Sequence, residues 1–190
     1  SFYQVNTEQM KKLYEKAIEY ADLSGEETVL DLYCGIGTIG LSMVGRAKEI
    51  VGIEIVKEAV LDANRNSVIN GVINSRYICG KAEEIIEKVA APDYEPKENS
   101  AEASLKTALA ADSVVAVLDP PRAGCDEVLL RTLADAGVGR IVYISCDPGT
   151  LARDIKLLTT ELGYEFVEAT PVDMFGWTNH VETVCVLKRA

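Results

Sequence analysis

Tyr164-Glu165-Phe166-Val167-Glu168-Ala169-Thr170-Pro171-Val172 and His180-Val181-Glu182-Thr183-Val184-Cys185-Val186-Leu187 are two strand-like runs separated by seven residues, Asp173 to Asn179. A parallel crossover needs a dozen or more residues, so this connection makes the two strands antiparallel. Upstream of them, strand and helix patterns alternate five times, the signature of a doubly wound parallel sheet with helices on both faces. The chain therefore reads as an α/β, Rossmann-like domain with a seven-stranded, mostly parallel sheet and an antiparallel last strand.

The earlier elements follow from the same periodicities. Thr7 or Asn6 caps a helix running to Ala21, with Leu13, Ala17, Ile18 and Ala21 on one face. Strands are expected at Val29–Tyr33, Glu49–Ile55, Ser75–Cys79, Val114–Leu118 and Arg140–Ser145, with helices at Thr38–Arg46, Lys57–Asn70, Glu83–Ala90, Glu127–Asp135 and Thr150–Leu162. Gly71 closes the third helix at its C′ position. The stretch 92–111 begins with a polar, proline-bearing run, Pro92–Ser104, and reads as a surface loop or insertion.

Composition narrows the function classes. A chain of 190 residues is enough for one well-buried domain. Its five cysteines are odd in number and form no CxxC pair, which argues against a zinc site or a disulfide framework and for reduced thiols in a cytoplasmic setting. No apolar run approaches a membrane span, and no signal-peptide pattern opens the chain. A net charge of −11 argues against a free-standing nucleic-acid binder, which carries a basic face. The abrupt entry at Ser1-Phe2-Tyr3-Gln4-Val5-Asn6 is that expected of a fragment following an absent upstream domain.

Chemistry concentrates at the carboxyl ends of the strands, where open α/β sheets bind ligands. Asp31-Leu32-Tyr33-Cys34-Gly35-Ile36-Gly37 is a strand, a tight turn and a helix start. Gly35 and Gly37 let a ligand approach the backbone, and Glu54, ending the second strand, is placed to accept hydrogen bonds from ribose hydroxyls. A nucleoside cofactor is the natural reading. Gly35, Gly37 and Gly40 nearly complete a GxGxxG pattern, so the turn alone leaves a dinucleotide open. At the fourth strand, Asp119-Pro120-Pro121-Arg122 fixes a carboxylate on a stiff, extended backbone. At the fifth, Ser145-Cys146-Asp147-Pro148 leaves Cys146 accessible on the same edge, the one cysteine whose position suits a nucleophile.

Five elements together resemble those of a known family, the RNA uracil-C5 methyltransferases that act on transfer and ribosomal RNA with S-adenosylmethionine. They are Phe2-Tyr3-Gln4-Val5-Asn6; Asp31 to Gly37; Asp119-Pro120-Pro121-Arg122-Ala123-Gly124; Ser145-Cys146-Asp147-Pro148-Gly149-Thr150; and Asp173-Met174-Phe175 with Thr178-Asn179-His180-Val181-Glu182. They span residues 2 to 182 in family order, and one reversed strand among seven suits the class I methyltransferase version of the fold over the dehydrogenase version. Gly176 departs from the family's usual proline. By this resemblance Cys146 is the nucleophile and Glu182 the general base. Gln4, Tyr33, Glu54 and Asp119 contact the cofactor. The implied product is 5-methyluridine in tRNA or rRNA, formed through a covalent bond from Cys146 to uracil C6, with no metal in this chain. The implied partner is an RNA gripped mainly by an upstream domain, with this chain alone binding cofactor well and RNA weakly. Phe2, Phe175 or Trp177 could stack on the flipped base, and His180 could orient Glu182. Two alternatives stand beside this reading: a cytosine-C5 methyltransferase, which would want a second cysteine directly after the prolines, and a catalytically silent RNA-binding module.

Overall fold

In the computed structural model the described residues are 6–174, 178 and 181–190; Gln4, Phe2, Phe175, Gly176, Trp177 and His180 lie outside them. The strands are β1 (Thr28–Leu32), β2 (Glu49–Glu54), β3 (Ser75–Cys79), β4 (Val114–Leu118), β5 (Arg140–Ser145), β6 (Tyr164–Val172) and β7 (Glu182–Arg189). They form one sheet in the order β3-β2-β1-β4-β5-β7-β6. β1 to β5 pair in parallel, while β7 runs antiparallel to both β5 and β6. The short 173–179 connection thus has the consequence expected of it.

The helices are α1 (Thr7–Ala21), α2 (Thr38–Met43), α3 (Lys57–Ile69), α4 (Ala82–Ala90), α5 (Ala101–Ala110), α6 (Glu127–Asp135) and α7 (Pro148–Thr160). β1 and β4 are buried at every position because helices cover both faces. Alternate residues supply two cores. Leu30, Leu32, Ala116, Leu118, Ile141 and Tyr143 face one cluster, with side chains of α4 to α7. Val29, Val115, Val117, Val142 and Ile144 face the other, with α1 and α2. Asn6 is the N-cap of α1, its side chain accepting from the Gln9 N–H at 3.2 Å. No helix among the described residues is long and apolar enough to cross a membrane.

One expectation is overturned. The stretch 92–111 is not a surface loop throughout, because it contains α5, whose Leu105 and Ala108 are buried in the first core. Ser100 caps it, accepting from the Ala103 N–H at 3.1 Å. The helix is rich in alanine, with only two leucines to mark an apolar stripe, so its amphipathic contrast is weak even though its helix propensity is high.

Candidate active site

The turn after β1 is built around Glu54. Its carboxylate accepts from the Gly35 N–H at 3.0 Å and the Val56 N–H at 2.8 Å, which ties the ends of β1 and β2 together. Gly37 sits at φ 82°, and a Cβ there would come within 2.7 Å of the Tyr77 hydroxyl, so only glycine suits the position. Tyr33 also has a positive φ, 61°, unusual for an aromatic residue. Strand alternation would put it on the face of Asp31. Its left-handed backbone turns it instead against the opposite core.

Two carboxylates behind and beside this turn lack full satisfaction. Asp31 is buried and accepts from the Gly40 N–H at 2.9 Å through Oδ2, while its Oδ1 has no hydrogen-bond partner. Burial, with Asp119 and Glu54 nearby, pushes its carboxyl up to about 7. Asp119 follows β4 and is half-buried. Burial, then the charge of Glu182, pushes it up to about 7 as well.

Cys146 follows β5 on the turn into α7. The Asp147 side chain caps that helix, accepting from the Gly149 and Thr150 N–H groups at 2.9 Å each. Pro148 occupies the first helical turn, where its missing N–H is tolerated. The Ser145 hydroxyl donates to the Asp147 carbonyl at 3.0 Å and accepts from the Asp147 N–H at 3.1 Å, which fixes the backbone on either side of the thiol. The ladder of β5 and β7 ends with Ser145 opposite Thr183. Cys146 and Glu182, the neighbours of that last pair, thereby lie at the same end of the two strands.

Glu182 is 8% exposed. Burial raises its carboxyl above the ordinary range, and Arg122 opposes that rise. Burial and then Glu182 also raise the Cys146 thiol, again with Arg122 opposing. Cys146, Glu182, Asp119 and Arg122 therefore form one electrostatic cluster in which the guanidinium is the favourable charge for a thiolate. The other core cysteines differ. Cys125 is 5% exposed and Cys185 fully buried, and burial pushes each thiol up to about 12.

Of the residues singled out from sequence, Tyr33, Gly35, Gly37, Glu54 and Asp119 thus line the carboxyl ends of β1, β2 and β4, and Cys146 and Glu182 the ends of β5 and β7. Gln4 lies outside the described residues. Asp154, a buried acid in α7, was missed, although its spacing from Leu151 and Leu158 puts a charge on the helix's apolar stripe. A cavity of about 570 Å³ opens beside it, lined among others by Tyr33, Cys125, Asp126 and Arg153.

A family model described as tRNA (uracil-5-)-methyltransferase matches residues 1–190. An "uncharacterized RNA methyltransferase" of Bacillus cereus is 50% identical over 188 residues, covering 99% of this chain and 37% of that protein. One from Staphylococcus aureus is 49% identical over 186 residues, covering 98% and again 37%. The chain thus spans 37% of the length of these curated relatives. Among solved structures, a Pyrococcus abyssi tRNA (uracil-54, C5)-methyltransferase in complex with S-adenosyl-L-homocysteine superposes with a TM-score of 0.72 at 30% identity, over 98% of this chain and 40% of that one. A sheet with one reversed strand, a glycine turn tied to Glu54 and a whole-chain match lead to one conclusion: the chain belongs to the tRNA (uracil-5-)-methyltransferase family.

Proposed function

We propose that this chain is the catalytic part of an S-adenosylmethionine-dependent RNA methyltransferase that makes 5-methyluridine in tRNA or rRNA. The observation that carries the reading is the register of β5 and β7, whose ladder ends at Ser145 opposite Thr183 and leaves Cys146 and Glu182 side by side in one electrostatic cluster. Uracil C5 is a weak nucleophile. Addition of a cysteine thiolate to C6 gives an enolate that reacts from C5, and removal of the C5 proton then lets the cysteine leave. Cys146 has the access for the first role. Glu182, raised by burial and near enough to Cys146 to raise its thiol, suits a base that takes that proton. Arg122 favours the thiolate and lies where it can balance developing charge.

The cofactor's fit rests on unused acceptors. Asp31 Oδ1 is buried without a partner, and among the described residues the Asp119 carboxylate accepts no hydrogen bond. An amine- and hydroxyl-bearing ligand would satisfy such groups. Tyr33, Gly35, Gly37, Glu54 and Asp119, with Gln4, would hold S-adenosylmethionine, with Glu54 on the ribose. When bound, that group supplies the methyl. The Pyrococcus neighbour's S-adenosyl-L-homocysteine supports the same choice.

The target base must leave its stack to reach Cys146, and RNA of this charge needs cations beyond those of a chain with net charge −11. An upstream RNA-binding domain in the full-length protein, acting in the cytoplasm, fits both the acidity and the length of the relatives. The cytosine-C5 alternative is disfavoured, since the cysteine nearest the prolines, Cys125, is buried with its thiol pushed up to about 12. Nucleoside mass spectrometry of tRNA and rRNA from cells lacking the gene tests the reading. Loss of 5-methyluridine from one RNA class, restored by the intact gene and not by Cys146→Ala, is expected. An unchanged 5-methyluridine content in every RNA class would overturn it.

A further inference from the structure

Asp154 is 2% exposed and takes no part in the chemistry above. A buried polar group is costly unless it is hydrogen-bonded, and the partners of Asp154 join β5, α7 and the loop that follows β4. Its Oδ2 accepts from the Tyr143 hydroxyl at 2.6 Å and from the Cys125 N–H at 2.9 Å. Its Oδ1 accepts from Arg153 Nε at 2.8 Å. The Arg153 guanidinium continues outward, donating through Nη2 to the Ala123 carbonyl at 3.0 Å and the Cys125 carbonyl at 3.2 Å. One turn earlier, the Thr150 hydroxyl donates to the Arg122 carbonyl at 3.1 Å. The first two turns of α7 thus grip the backbone of residues 122, 123 and 125.

Gly124 supplies an independent sign that this grip is built in. Its φ is 77°, and a Cβ there would lie 2.6 Å from Arg153 Nη2 and 2.7 Å from Asp154 Oδ2. The loop lies so close to the pair that no side chain fits between them. The frame it joins is the one that carries Cys146. Tyr143 stands three residues before the cysteine on β5 and is fully buried, and α7 begins two residues after it.

We propose that Asp154 is a positioning residue: with Tyr143, Arg153 and Thr150 it locks the Asp119–Cys125 loop to the β5–α7 frame, setting Asp119 and Arg122 against Cys146. The proposal rests on Cys146 acting as the nucleophile. Without the lock, the loop is held only at its ends, where it leaves β4 and where Asp126 caps α6, and Arg122 between them is free to shift relative to the thiol. Misplacement by about 1 Å of groups that must meet a reacting atom costs on the order of 10²-fold in rate.

The test uses the full-length protein and RNA containing 5-fluorouridine, following the rate at which the RNA–protein adduct forms. Melting temperature and S-adenosylhomocysteine affinity are measured in parallel. Asp154→Asn, which turns an acceptor into a donor facing Arg153 or Tyr143, is expected to slow adduct formation on the order of 10²-fold at saturating RNA, with KM for RNA and cofactor affinity within about threefold. Two milder changes keep the proposal testable should that variant fail to fold. Tyr143→Phe and Thr150→Val should each lower the rate about tenfold, and Thr150→Ser, which keeps the donor to Arg122, should retain it. Wild-type rates in Tyr143→Phe and Thr150→Val would overturn the lock, as would losses that track melting temperature or cofactor affinity. Absence of any adduct with the unmodified enzyme would instead remove the covalent reading, and the lock with it.

Discussion

Asp119 shows how one residue ties stability to ligand binding. Its carboxyl and that of Asp31 are pushed up to about 7 from an ordinary 3.8, chiefly because burial disfavours the charged form. Between pH 4 and 7 the folded protein therefore holds protons that the unfolded chain has released. The sign follows from linkage: this contribution to stability is fully present below pH 4 and is lost as pH rises through about 7. Replacing Asp119 by Asn removes its share. In urea unfolding of the ligand-free protein, Asp119→Asn should gain on the wild type between pH 5 and pH 8. Parallel pH profiles for the two proteins would refute this account of the carboxylate. A ligand that brings positive charge or donors to the pair should favour the ionised forms, so the same groups suit a cofactor.

At the scale of elements, what could be read from the chain was set by contrast. The central strands were legible because parallel, doubly covered strands are continuous apolar runs such as Val114–Leu118. The direction of the last strand was legible from a connection too short to cross over. The strand-end residues of the site were legible because this fold presents ligands at one edge. Helix α5 was not, since its buried face is made of Leu105 and small alanines in a stretch that starts with polar residues and prolines. The grip of α7 on the 119–125 loop was not legible either, because backbone carbonyls leave no trace in a sequence; only Asp154 on an apolar stripe hinted at it. The helix makes a direct prediction. Leu105 is fully buried, so Leu105→Ala should destabilise the protein by about 2–5 kcal/mol in chemical unfolding. A cost within about 0.5 kcal/mol, that of a surface substitution, would return the segment to a loop.

Across the whole molecule, the sheet brings groups from distant parts of the chain to one edge. Glu54 and the glycine turn stand at one side, and Asp119, Cys146 and Glu182 at the other, with β1 and β4 adjacent between them. The two-sided core holds that edge rigid. In the proposed reaction Cys146 attacks the target base and Glu182 completes the turnover. The most direct measurement is mass spectrometry of the enzyme incubated with S-adenosylmethionine and 5-fluorouridine-containing RNA, since fluorine cannot leave C5 as a proton. The account predicts an RNA adduct mapped to Cys146, absent in Cys146→Ala, with Glu182→Gln trapping an adduct even on unmodified uridine. No adduct, or one that survives Cys146→Ala, would contradict it.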